Sequence, residues 1–268
     1  MRVMEIETAR GRMEVLGKGA GPTLVLLHPF PFSAEVWSGE LDALSKEWRV
    51  LAPSFRGFGR TEPFAPGTAP SIEAMADDVA ALLDALQIAD PVVLCGLSMG
   101  GYVALAFARR HPRRLRALIL ADTRAEPDSA EARANRDASI ARVEKGDVAG
   151  FIDDMLGKLA GETTRAERPA VMERLRELMS RTPASTIAKT LAALRDRPDA
   201  RPQLGAVSVP ALVLVGAEDA VTPPSAAEVM AKAIPRATMV PLPGAGHISN
   251  VEAPRAFHDA VSTFLASL

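Results

Sequence analysis

Gly96-Leu97-Ser98-Met99-Gly100-Gly101 stands between an apolar run at residues 91–95 and a helical pattern at residues 99–110. The glycine-x-serine-x-glycine spacing alone says little, since chance places it in roughly one chain of this length in ten. Its context is informative. A strand, a tight turn and a helix together hold a serine in a strained backbone conformation with its hydroxyl exposed above a sheet. Glycines are needed there because side chains would collide with the neighbouring strand and helix. The same turn sets the Met99 N–H at a helix N-terminus, where it can donate to developing negative charge. The competing reading is a glycine-rich turn that merely precedes a helix.

Outward from this turn, short apolar runs recur at residues 23–27, 49–52, 115–121, 210–215 and 237–242, and such runs bounded by breakers read as buried strands. Residues before position 22 read as an antiparallel hairpin, with turn signals at Gly11 and from Gly17 to Gly21. Helical patterns lie between the strands. Residues 71–88 begin with Ser71 and Glu73 in capping positions and repeat Ile72, Met75, Val79, Leu82 and Leu86 at helical spacing; residues 254–268 form another. Strand alternating with helix predicts an α/β fold, a mostly parallel eight-stranded sheet with helices on both faces. Residues 128–200 interrupt the alternation with charged amphipathic stretches at 130–144, 147–159, 167–180 and 186–197. Inserted after a strand, they are expected to form a helical cap over the carboxyl ends of the strands, where open α/β sheets bind ligands. The boundaries read as a core at residues 1–124 and 203–268 and a cap at 125–202. A subdomain that only adds stability is the alternative.

A serine hydroxyl is a poor nucleophile until a base takes its proton. Of the four histidines, His111 ends a helix and His258 lies within the last one, both ordinary structural or solvated positions. His247, in the loop Gly244-Ala245-Gly246-His247-Ile248-Ser249-Asn250, is the base of choice, because catalytic groups collect on loops at strand ends. Its acid partner should lie at a neighbouring strand end. Asp219 fits, following the run at 210–215; Glu218 should face elsewhere. A second oxyanion donor is expected from His28-Pro29-Phe30-Pro31, in which only Phe30 offers a free loop N–H between two prolines. Phe30 and Met99 are therefore the expected donors. His28 either borders the substrate pocket or only holds the loop, and Val221 and Phe32 are further pocket candidates.

The 268 residues carry 31 basic and 33 acidic side chains, and 48% are apolar. That balance argues against disorder and against nucleic-acid binding. Cys95 is the single cysteine, which rules out an intramolecular disulfide and a thiolate metal cage. Charges scattered through residues 1–16 do not suit a secretion signal, and no run of 18 uncharged apolar residues occurs, so a cytoplasmic, non-membrane protein is expected. Seven of the twelve aromatic residues, Phe30, Phe32, Trp37, Trp48, Phe55, Phe58 and Phe64, fall within one 35-residue stretch. Phe30 and Phe32 are expected to shape a pocket and Trp48 to be core, with the remainder open to either role.

The combination resembles the α/β-hydrolase superfamily over nearly the whole chain. The resemblance rests on residues 96–101, His28 to Pro31 with Trp37, Arg56-Gly57-Phe58-Gly59-Arg60-Thr61, Asp219 with Pro223, and Gly246-His247 with Asn250, Glu252 and Pro254. Within that superfamily the chain is most similar to the 3-oxoadipate enol-lactonase group and its esterase relatives. Pro29 and Ser54 depart from the common pattern, at a usual glycine and a usual aspartate. The resemblance implies a nucleophile, acid and base at Ser98, Asp219 and His247, in the family's chain order. It further implies hydrolysis of a small-molecule ester or lactone with no cofactor or metal, by a monomer or small homo-oligomer. A carbon–carbon bond hydrolase or a cofactor-free perhydrolase would use the same triad, and a small-molecule receptor on the same fold is the rival from another class.

Overall fold

The computed structural model describes residues 1–65 and 67–268. Eight strands form one sheet: β1 (Arg2–Thr8), β2 (Gly11–Lys18), β3 (Thr23–Leu27), β4 (Arg49–Pro53), β5 (Val92–Leu97), β6 (Leu115–Ala121), β7 (Ala211–Gly216) and β8 (Ala237–Leu242). Their order is β1-β2-β4-β3-β5-β6-β7-β8. The β1–β2 and β2–β4 pairs are antiparallel and the other five are parallel, so the mostly parallel eight-stranded sheet expected from the sequence is present. Every residue of β3, β5 and β7 is buried. Central parallel strands covered on both faces need such unbroken apolar runs.

The covering helices are α1 (Ser38–Leu44), α2 (Ile72–Ala85) and α3 (Met99–Arg110) early in the chain, and α9 (Pro224–Ala233), α10 (Ser249–Glu252) and α11 (Pro254–Ala266) late in it. Helix α1 packs against α11, and α2 against α3. The Ser71 hydroxyl caps α2 by accepting the Ala74 N–H at 3.1 Å, as its sequence position predicted. The helix stops at Ala85, short of the expected residue 88, because Gln87 takes a left-handed conformation (φ 53°) that ends the helical ladder.

Between β6 and β7 run α4 (Ala130–Glu144), α5 (Val148–Leu159), α6 (Glu162–Glu167), α7 (Pro169–Ser180) and α8 (Ala184–Arg195). Four of these follow the amphipathic stretches seen in the sequence. Helix α6 is additional: a single short stretch that Pro169 separates from α7 by starting a new first turn. The inserted helices meet the loops above the sheet. The Thr182 hydroxyl donates to the Pro31 carbonyl at 2.6 Å, and Thr186 donates to the Gly57 carbonyl at 3.0 Å. The ring of Phe151 from α5 lies 6.4 Å from that of Phe30.

Candidate active site

The turn between β5 and α3 is made by close backbone packing. A Cβ on Gly96 would stand 2.2 Å from the Gly100 carbonyl oxygen, and one on Gly100 would stand 2.0 Å from the Leu27 oxygen on β3. Neither position can hold another residue without displacing backbone. Between them Ser98 adopts φ 52° and ψ −112°, a region that L-residues rarely occupy and that persists only when the surroundings impose it. Here they do. The Ser98 N–H donates to Ala121 at 2.9 Å, its carbonyl accepts from the Thr123 hydroxyl at 2.8 Å, and the same carbonyl starts α3 by accepting from Gly101 and Tyr102.

His247 meets Ser98 from the β8 side. Its Nε2 lies 2.8 Å from Ser98 Oγ, and its Nδ1 lies 2.8 Å from Asp219 Oδ2. The carboxylate of Asp219 is further held by the N–H groups of Val221 (2.8 Å) and Thr222 (2.9 Å) and by the Thr222 hydroxyl (2.7 Å). Three groups separated by up to 149 positions in sequence thus form one hydrogen-bonded chain.

The electrostatics follow from this pairing. Burial alone would lower the His247 pKa; the Asp219 charge and hydrogen bond outweigh it and hold His247 above its ordinary value. Burial would raise Asp219, yet the facing His247 and the Thr222 donors keep it below the usual carboxylate range. The imidazole is therefore disposed to accept and keep a proton.

Glu218, as expected, points away. It accepts the Thr163 N–H at 2.8 Å and the Thr163 hydroxyl at 2.5 Å, tying the β7 turn to α6. Among the described residues, neither the Phe30 N–H nor the Met99 N–H has a protein acceptor, which leaves two donors beside the serine turn. The Phe30–Pro31 peptide is cis.

His28 is fully buried. Its Nδ1 contacts the Pro29 carbonyl at 2.9 Å and its Nε2 accepts the Phe55 N–H at 3.0 Å, so both nitrogens are occupied by backbone. Burial depresses its pKa to about 4 against the raising effect of the Pro29 bond. His28 thus holds the loop, one of its two sequence readings. Phe32 is likewise fully buried in the apolar core, whereas Val221 is 36% exposed at the surface. All seven side chains of the aromatic stretch are buried. Phe30 touches both Phe58 and Phe151.

The other contributors, Glu252 apart, carry no sequence signal. Asp122, at the end of β6 with φ 45°, accepts from Gly216 N–H at 2.8 Å and from Ser249. Burial and the Asp219 charge raise its pKa to about 7. Glu252 accepts from Ile248 N–H (3.0 Å) and Gly161 N–H (2.8 Å), and the His247 N–H itself donates to the Leu159 carbonyl at 2.8 Å. Only Glu252 stood in a motif that could have suggested it. Among the described residues, no cluster of three or more His, Cys, Asp or Glu side chains could hold a metal ion, and no helix is long and apolar enough to cross a membrane.

A family model described as the alpha/beta hydrolase fold matches residues 22–254. The chain is 30% identical to 3-oxoadipate enol-lactonase 2 of Acinetobacter baylyi over 93% of its own length and 90% of that protein's. Among solved structures, a thermophilic esterase from Thermogutta terrifontis, with malate bound, superposes with a TM-score of 0.93 at 38% identity, covering 100% of this chain and 99% of that one. The enol-lactonase from Burkholderia xenovorans superposes with a TM-score of 0.89 at 30% identity, covering 98% and 100%.

Proposed function

The chain belongs to the α/β-hydrolase family, and on that footing we propose that it cleaves small carboxylic esters or lactones through Ser98, His247 and Asp219. The observation that carries the proposal is the 2.8 Å approach of Ser98 Oγ to His247 Nε2, with Asp219 on the other ring nitrogen. His247 removes the hydroxyl proton as Ser98 Oγ bonds to the substrate carbonyl carbon. The carbonyl oxygen gains the negative charge, and the Phe30 and Met99 N–H groups donate to it. His247 returns the proton to the leaving alkoxide. It then deprotonates a water molecule that attacks the acyl-enzyme and returns that proton to Ser98 Oγ as the acyl–oxygen bond breaks and the acid leaves, while Asp219 fixes the tautomer and stabilises the imidazolium. In a lactone the leaving alkoxide stays tethered to the acyl group and the product is a hydroxy acid or its keto form. Residues 125–202 act as the cap over this centre. The enol-lactonase and esterase likenesses support an ester or lactone carbonyl as the reacting group.

A panel of short and long acyl p-nitrophenyl esters and muconolactone-type lactones, run with wild type and Ser98→Ala, tests the proposal. Turnover of at least one ester or lactone that vanishes in Ser98→Ala is the expected result. Turnover that survives the substitution overturns it.

A further inference from the structure

A cavity of about 270 Å³ lies between α2, α3 and the two points where the inserted helices join the sheet. Its volume is on the order of nine water molecules. None of Ser98, Asp219 and His247 lines it. Leu105 and Ala106 of α3, Ile72 of α2, and Leu204 and Val207 on the returning chain make an apolar wall. The outgoing chain contributes Arg124 and Ala125 and the returning chain Arg197 and Ala200, the two crossings being joined by the Ala200 N–H on the Ala125 carbonyl at 2.9 Å.

The polar end is short of negative charge. Arg124, Arg136 and Arg197 all converge on the single carboxylate of Asp128. The other charged lining residues are already matched, Arg109 with Glu73 and Asp199 with Arg201. Arg136, Asp128 and Glu126 stand behind the lining rather than in it; with all three counted, three guanidinium groups face two carboxylates, an excess of one positive charge. Arg197 is 5% exposed and lies 4.4 Å over the Tyr102 ring, which itself lines the cavity. Its Nη atoms are used on Asp128, Leu194 and Glu126, but its Nε is buried with no partner among the described residues, and so is the Nε of Arg124.

We propose that this cavity is a binding site for a small carboxylate bearing a short apolar chain, separate from the catalytic centre. The carboxylate supplies acceptors to guanidinium N–H groups whose burial without a partner is otherwise unfavourable. The chain lies along the Leu105, Ala106 and Leu204 wall, as apolar parts of ligands do in sites with a few convergent polar groups. Because the cavity touches α3 and both crossings, an occupant bridges the sheet and the inserted helices and stabilises their junction. The inference does not depend on the chemistry at Ser98.

Octanoate is the probe, titrated into the protein calorimetrically and in thermal unfolding, with octanol as the uncharged control. The expected result is saturable binding with a rise in Tm, at least tenfold tighter for octanoate than for octanol. Ala106→Leu, which fills the apolar wall, and Arg124→Gln, which removes one guanidinium, should each weaken octanoate at least tenfold while ester turnover is unchanged. Amide chemical shifts in the wild type should move at Leu105, Ala106, Ala125 and Leu204. Absence of saturable binding at millimolar octanoate, equal binding of octanol, or shifts confined to the Ser98 and His247 loops would each overturn the proposal.

Discussion

Asp122 Oδ2 accepts two hydrogen bonds from Ser249, from its N–H at 3.1 Å and from its hydroxyl at 2.6 Å, two residues beyond His247. Its Oδ1 takes the Gly216 N–H at the end of β7. One buried carboxylate thus joins the strand end beside the serine turn to the strand that carries Asp219 and to the loop that carries His247. Asp122→Asn removes a charge that, as Asp122 ionises near pH 7, adds to the raising of the His247 pKa by Asp219, and it turns an amide NH₂ toward donors. The acid limb of the kcat/KM profile should move to lower pH, and urea unfolding should show a loss of about 1–3 kcal/mol. A role in packing alone would leave the limb where it is.

Replacing the serine isolates the chemistry from the fold. Ser98→Ala removes the proposed nucleophile but leaves the backbone bonds to Ala121 and Thr123 in place. Ester kcat should fall by about 10⁵ or more, with Tm within a few degrees of wild type.

The pH profile should report the pairing of His247 with Asp219. Since His247 is raised above 6.5, activity that needs the neutral imidazole should rise with a midpoint above 6.5. The same sign governs stability: the His247–Asp219 interaction is fully present between the unfolded carboxylate value of 3.8 and 6.5, and is lost as pH rises through the folded pKa of His247 or falls through that of Asp219. Asp219→Asn should shift the kinetic midpoint downward and lower kcat by about 10⁴. Steady-state kinetics from pH 5 to 9 checks both.

His28 should act in the opposite direction. Its folded pKa of about 4 lies below the unfolded 6.5, so the unfolded chain binds the extra proton and stability declines as pH falls from 6.5 to 4. The full difference is about 3 kcal/mol. Comparing urea midpoints of wild type and His28→Gln at pH 7 and pH 4.5 measures it: the loss on acidification should be smaller in the variant.

The inserted segment supports the loop of the proposed oxyanion donor Phe30 through one hydrogen bond. Thr182→Val removes the donor to the Pro31 carbonyl, one residue past Phe30, and leaves that carbonyl unsatisfied. Stability should drop by about 1–3 kcal/mol, and kcat should fall more than KM rises, because the Phe30 N–H is asked to hold charge that develops only in the transition state. Steady-state kinetics on one ester, beside a urea melt, separates the two effects.

Ser98, Asp219 and His247 could be located in sequence because each follows an apolar run closed by a breaker, and parallel strands bring their carboxyl ends to one edge of the sheet. Asp122 was invisible for the converse reason. Nothing near Ala121-Asp122-Thr123 distinguishes a carboxylate in water from one that Gly216 and Ser249 enclose, and those partners lie 94 and 127 positions away. Phe32 and His28 are pocket candidates from sequence and are fully buried in the structure, a burial the sequence does not declare because apolar character is shared by core and pocket wall alike. Helix α6 escaped notice because six residues are too few for an amphipathic period to declare itself.

The His247 amide is anchored on Leu159, at the end of α5, and the neighbouring Glu252 carboxylate grips Gly161 just beyond it. The inserted segment is therefore also part of the scaffolding of the proposed base. Grafting a foreign insertion in its place to change substrate range would carry away bonds that keep the imidazole aligned. In this chain the proposed cap and the proposed base are not interchangeable modules, and variation in the inserted segment is constrained at Leu159 and Gly161 even where its outward-facing residues are free to drift.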